Sequence, residues 1–119
     1  MPERLGSFEE FWPYYLSEHW RPVTRGLHFA GTSLVLLALA AGVLASPRWL
    51  VAAPLAGYGC AWIGHFFFER NRPATFTHPV WSLRGDFRMF RLTLLGRLGP
   101  ELERAERLYP PAASPNVSR

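Results

Sequence analysis

Four histidines are the residues of this chain best suited to chemistry: His19, His28, His65 and His78. His65 lies in the stretch GHFFFERNRP, where an apolar run ends, and Glu69 follows it four residues later. Residues at this spacing lie on one face of an α-helix. Imidazoles together with a carboxylate are suitable ligands for a divalent transition metal. Two or three of the histidines with Glu69 would leave open positions on a non-haem Fe(II), where oxygen and a substrate could bind.

Two uncharged segments, residues 26–45 and 49–68, must position these side chains. A helix of about twenty residues spans about 30 Å, which is the thickness of the hydrocarbon core of a bilayer. The sequence SPR between the segments makes a tight break. The second segment also carries small residues that allow close helix contact, and these are Gly57, Cys60, Ala61 and Gly64. We therefore predict an antiparallel hairpin of two transmembrane helices.

The hairpin brings two histidines to one depth. His28 lies about two residues into the first span and His65 about three residues before the end of the second, so both lie about 5 Å inside the same boundary. His19 lies at the end of the preceding helix, and His78 follows the loop after the second span. We expect all four imidazoles to converge near this boundary.

Other interpretations of these residues remain open. A single histidine at a boundary more often makes hydrogen bonds within the protein, and the spacing shows no compact metal signature such as H-E-x-x-H. Glu69 could pair with Arg72 or Arg25 at the surface. If a metal is bound, hydrogen bonds could fix the imidazole tautomers. The side chains that could make these bonds are Asn71, Thr32 and Asp86.

Two amphipathic helices are predicted on either side of the hairpin. Residues 7–20 begin with Ser7 and Glu10 in the spacing of a capping box, and their tryptophans and tyrosines favour the boundary between lipid and water. Residues 83–98 carry arginines that would cost about 2.5–3.5 kcal/mol each at the centre of a span. This helix is therefore expected to lie in the membrane surface. Residues 109–119 have little to bury and are expected to be disordered.

The charge pattern indicates how the chain is oriented. All 13 basic residues are arginine, and they flank the apolar segments without forming a dense block, which argues against nucleic-acid binding. Only Arg48 lies between the spans, so the positive-inside rule places both termini in the cytoplasm. The mixed residues before the first span do not resemble a cleaved signal peptide. A soluble buried hairpin would lack covering material unless the chain formed a homo-oligomer. We predict an all-α protein with one integral membrane domain, residues 1–108.

Two blocks of sequence resemble a known family. The runs FEEFWPYYLSEHWRPVTRGLHFAGT and GYGCAWIGHFFFERNRPATFTHPVWSLRGDFRMF are similar to the small membrane family of the fungal 2-hydroxy-fatty-acid dioxygenase, over about residues 8–90. The resemblance implies an Fe(II)-dependent enzyme that uses O2 to remove one carbon from a 2-hydroxy fatty acid. For a bacterial member it implies a multi-pass protein of the inner membrane. The residues that match the motif are His19, His28, His65, His78 and Glu69.

The substrate and the competing functions complete the hypothesis. We assign Asn71 and Arg72 to the carboxylate of the substrate, because arginine binds a carboxylate through two hydrogen bonds. The acyl tail would remain in the lipid bilayer. In a second hypothesis, His28 and His65 are axial ligands of a haem in an electron carrier. In a third, the protein is a non-catalytic membrane scaffold whose histidines only make hydrogen bonds.

Overall fold

The computed structural model describes residues 5–110, and every regular element within that range is helical. The five α-helices are α1 (Phe8–Ser17), α2 (Pro22–Leu44), α3 (Ala52–Ile63), α4 (Pro79–Leu94) and α5 (Leu98–Leu108). Two helical segments, Pro22–Leu44 and Pro47–Glu69, are long and apolar enough to cross a membrane. The predicted all-α class with two possible spans is therefore confirmed, and each segment is slightly longer than predicted.

The described chain forms two compact units. Residues 21–73 form the hairpin unit, and residues 5–20 with 74–110 form the terminal unit. The hairpin unit contains α2 and α3, and the terminal unit contains α1, α4 and α5. The predicted disordered tail, 109–119, lies outside the described residues from 111 onward.

Small residues bring α2 and α3 close together in the hairpin unit. A Cβ atom placed on Gly31 would lie 2.9 Å from Cys60 Cβ, and one placed on Gly57 would lie 2.9 Å from Val35 Cγ2. Such distances leave no room for a methyl group, so the glycines permit the contact. The structure confirms that Gly57 and Cys60 belong to a close-contact face.

The second apolar segment is not a uniform α-helix. It begins with a 3-10 helix, Pro47–Val51, where the sequence predicts a break, and it ends with a π-helix, Gly64–Glu69. Arg70 then adopts a left-handed conformation with φ 59° and reverses the chain. Short π-helical turns are rare and frequently occur at functional sites.

The terminal unit is built on the aromatic face of α1. Phe11, Trp12 and Tyr15 are at most 1% exposed, and Trp12 Nε1 donates a hydrogen bond to Glu101 of α5 over 2.9 Å. Ser7 accepts a hydrogen bond from the backbone N–H of Glu10, as the capping pattern predicts. This aromatic face is thus core of the terminal unit.

The predicted helix 83–98 has different ends in the structure. α4 starts four residues earlier, at Pro79, and stops at Leu94. Gly96 then takes a φ of 68°, which interrupts the helix before α5 begins. Arg88 pairs with Glu9 over 3.3 Å and lies 3.7 Å from Glu101, whereas Arg84 is exposed.

Candidate metal centre

His28 and His65 face each other within the hairpin unit. Both are buried, their ring centroids are 5.1 Å apart, and the ring planes are nearly perpendicular at 86°. The prediction that the antiparallel helices bring these two imidazoles to one level is confirmed. The reason is the constant axial rise of a helix, which converts sequence position into depth.

His19 belongs to the same group of possible ligands. One ligand atom from each of His19, His28 and His65 lies within 4.8 Å of the others, and all three residues are buried. Two nitrogens that share one ion through bonds of about 2 Å lie at most about 4 Å apart, so shifts of the side chains by less than about 1 Å bring the group around a single metal ion.

Two of the imidazoles donate hydrogen bonds to backbone carbonyls one helical turn earlier. His19 Nδ1 lies 2.6 Å from the carbonyl oxygen of Tyr15, and His28 Nδ1 lies 3.1 Å from that of Thr24. A carbonyl oxygen can only accept, so Nδ1 carries the proton in both rings. This tautomer leaves the lone pair on Nε2 for a metal.

The third imidazole is held by the loop that follows it. His65 Nδ1 donates to Asn71 Oδ1 over 2.7 Å, and the backbone N–H of Asn71 donates to the carbonyl oxygen of His65 over 3.0 Å. The left-handed conformation of Arg70 turns the chain so that both bonds form. Asn71 therefore contacts His65 directly. That this contact fixes the tautomer of a metal ligand, and that Asn71 binds the carboxylate of a substrate, stay predictions.

The donor set fits a divalent transition metal. Three imidazoles, each oriented by a hydrogen bond from Nδ1, form the arrangement typical of histidine ligands in metalloproteins. The group can therefore bind a metal ion.

Glu69 makes a contact that the sequence did not predict. Its Oε2 accepts a hydrogen bond from the backbone N–H of Arg21 over 2.6 Å, at the start of α2. An acidic group is favourable there, because the first N–H groups of a helix lack partners within the helix. The π-helical turn also changes the geometry, so the four-residue spacing from His65 does not define an α-helical face. Its role as a ligand stays a prediction.

His78 lies in the terminal unit and stacks on Trp81, with ring centroids 5.5 Å apart and planes at 4°. Its Nδ1 lies 2.9 Å from Thr77 Oγ1. It is half-buried and is not a member of the three-histidine group. Its assignment as a ligand, which comes from the resemblance, stays a prediction.

The remaining predicted site residues are placed as follows. Arg72 is exposed on the loop directly after Asn71, and its contact with substrate stays a prediction. Asp86 accepts a hydrogen bond from the hydroxyl of Tyr15 over 2.5 Å. Thr32 is buried in α2.

Sequence reasoning missed the backbone acceptors. The carbonyl groups of Tyr15 and Thr24 each lie four residues before a histidine, and this spacing is the signal that could have identified them. Every residue carries a backbone carbonyl, so the identity of residues 15 and 24 does not show that their carbonyl groups accept these bonds.

The fold and the site together define a class of protein, which is an all-helical chain with two possible membrane spans and a buried group of three histidines. The chain belongs to the family described as 2-hydroxy-palmitic acid dioxygenase Mpo1-like, whose sequence model matches residues 5–98. This family is the one that the two sequence blocks resemble. No curated protein and no solved structure matches the chain.

Proposed function

We propose that this protein is an Fe(II)-dependent dioxygenase that removes one carbon from 2-hydroxy long-chain fatty acids. The observation that carries the proposal is the convergence of three buried imidazoles whose Nδ1 atoms are all engaged. The description of the family names 2-hydroxy-palmitic acid as a substrate, which supports the choice of reaction.

The residues of the chain have separate tasks in this reaction. His19, His28 and His65 would hold the iron, and Asn71 would keep the ring of His65 in its binding tautomer. When bound, Fe(II) supplies the means to activate O2 beside a chelated 2-hydroxy acid. Arg72, exposed beside Asn71, would bind the carboxylate of the substrate through two hydrogen bonds.

The reaction balances without an external reductant. The C1–C2 bond breaks, C1 leaves as carbon dioxide, and C2 becomes the carboxyl carbon of an acid one carbon shorter. One O2 is consumed and one water is formed, because the 2-hydroxy acid supplies the four electrons. A site that binds the metal, the acid and O2 is therefore sufficient.

The exposed surface of the hairpin unit supports a membrane location. Leu37 of α2 is 66% exposed and Leu55 of α3 is 70% exposed, and continuous apolar surface of this kind fits the interior of a bilayer. We place both termini in the cytoplasm on the distribution of arginine. The acyl tail of the substrate would then stay in lipid while its polar head reaches the histidines.

Metal content and product analysis test the proposal together. Protein purified in detergent and loaded anaerobically with Fe(II) should bind iron and, with O2, convert 2-hydroxypalmitic acid to the acid one carbon shorter. His65→Gln should lose iron and product. Tyr58→Phe, on the exposed side of α3, is the matched control and should retain both.

Several results would contradict the proposal or revise its ligand set. Iron-loaded, folded protein that leaves the 2-hydroxy acid unchanged would exclude the reaction. A Soret band in protein prepared with haem available would favour the haem hypothesis. His78→Gln separates the ligand sets, because retention of iron would limit the ligands to the buried group, whereas its loss would add His78.

A further inference from the structure

The side chain of Thr24 has no hydrogen-bond partner although it is completely buried. Its exposed fraction is 0%, and within residues 5–110 its Oγ1 atom is among the few buried side-chain atoms without a partner. The other two are Glu18 Oε1 and Arg88 Nε, but those side chains make bonds through different atoms. Among these three side chains, that of Thr24 is the one whose polar group makes no hydrogen bond at all.

Thr24 lies beside the histidines of the hairpin unit. Thr24 precedes His28 by one helical turn, and its carbonyl oxygen accepts the bond from His28 Nδ1. A Cβ placed on Gly64, the neighbour of His65, would lie 2.9 Å from Thr24 Cγ2. Thr24 therefore packs against the π-helix through its methyl group, and its hydroxyl branches from the same Cβ.

The structural tasks at this position do not require a hydroxyl. The methyl group makes the contact with Gly64, and the backbone carbonyl orients His28; valine would do both. A buried hydroxyl without a partner costs about 1–3 kcal/mol. Such a group in a native protein calls for an explanation, and a bound molecule that completes its hydrogen bond is one.

We propose that the hydroxyl of Thr24 binds the 2-hydroxyl group of the fatty acid and so selects 2-hydroxy acids over plain fatty acids. This inference rests on the proposed function. A neutral buried hydroxyl suits a neutral partner, whereas a carboxylate in the same place would need a cation. Arg72 supplies such a cation in the same unit. Thr24 therefore acts as a specificity-determining residue.

The physical basis of the selectivity is the unsatisfied group itself. A site built to bind a substrate hydroxyl discriminates against an analogue that lacks it, because the analogue leaves the buried polar group without a partner. Bound palmitate would leave the Thr24 hydroxyl without a hydrogen-bond partner, whereas 2-hydroxypalmitate would supply one. The selectivity should therefore depend on the hydroxyl and not on the methyl group.

The test compares Thr24→Val with Thr24→Ser in the full-length protein. Zn(II) replaces iron so that binding is measured without turnover, and dissociation constants are determined for 2-hydroxypalmitate and palmitate. Thr24→Val should reduce the ratio of the two affinities about tenfold, the change expected for one lost neutral hydrogen bond to a buried group. Palmitate affinity and zinc content should remain unchanged, and Thr24→Ser should retain the wild-type ratio.

A second measurement separates this role from a structural one. Metal-free Thr24→Val should unfold at a temperature about 4 °C or more above that of the wild type, because the substitution removes the unsatisfied hydroxyl. An equal loss of affinity for both acids would indicate that Thr24 contacts the carboxylate, which both acids share, and would overturn the inference. Unchanged affinities for both acids would overturn it too. If the wild type converts 2-hydroxypalmitate and Thr24→Val keeps the wild-type ratio of the two affinities, only this inference fails. If the wild type binds neither zinc nor either acid, the proposed function fails as well.

Discussion

Removal of the Asn71 side chain tests whether the orientation of His65 matters for metal binding. In Asn71→Leu the imidazole N–H loses its acceptor at 2.7 Å, while the backbone bond from residue 71 to the carbonyl of His65 is kept. The loop should therefore retain its conformation. The ring becomes free to adopt the other tautomer, with the proton on the nitrogen that must bind the metal.

The size of the effect follows from the role of the contact. Loss of a hydrogen-bonding partner behind a metal ligand lowers metal affinity about 10–100-fold, and this equals about 1.4–2.7 kcal/mol in binding free energy. The buried N–H left without an acceptor should also reduce the free energy of unfolding by about 1–3 kcal/mol. Asn71→Asp is the matched variant, because it keeps an acceptor and adds a negative charge that strengthens the imidazole as a ligand.

The assay is competition between the protein and a chelator for Fe(II) under anaerobic conditions, with helix content followed by circular dichroism. We expect a 10–100-fold lower affinity for Asn71→Leu and wild-type or higher affinity for Asn71→Asp. The reasoning is refuted if Asn71→Leu binds iron within twofold of the wild type while folded. It is also refuted if both variants lose affinity equally, since the acceptor would then be irrelevant.

Two further predictions concern packing and pH. Gly31→Ala should lower the free energy of unfolding by about 1–3 kcal/mol, because its new Cβ would lie 2.9 Å from that of Cys60. At Gly59 a new Cβ meets no neighbouring atom within 4 Å, so Gly59→Ala should raise the free energy of unfolding by about 0.4–1 kcal/mol. Thermal unfolding in detergent measures both changes, and shifts of the same sign would contradict the close contact at Gly31. Burial raises the pKa of Asp86 from 3.8 to about 6, although the hydrogen bond from Tyr15 opposes the rise. The folded state therefore favours the protonated carboxyl, and this contribution to stability is complete below pH 4 and is lost as the pH rises through 6. Asp86→Asn should lack this loss, so a wild-type-minus-variant difference in unfolding temperature that stays constant from pH 4 to 7 would disprove the assignment.

The sequence by itself predicted the two long apolar segments and the shared level of two histidines. Twenty apolar residues without charge have few structural options in a chain of this size, and a fixed rise per residue places His28 and His65 at one level. The cap of α1 at Ser7 was also readable, because a side chain that caps a helix acts only on residues next to it.

Only the tertiary structure decided how the site is finished. The π-helix, the left-handed Arg70 and the return of Asn71 to His65 depend on how the second helix ends against its surroundings, which local propensity does not encode. The contact of Glu69 with the backbone N–H of Arg21 and the packing of Thr24 against Gly64 both join segments at least forty residues apart. Hydrogen bonds over such separations are set by three-dimensional proximity, and a pattern read along the chain contains no measure of it.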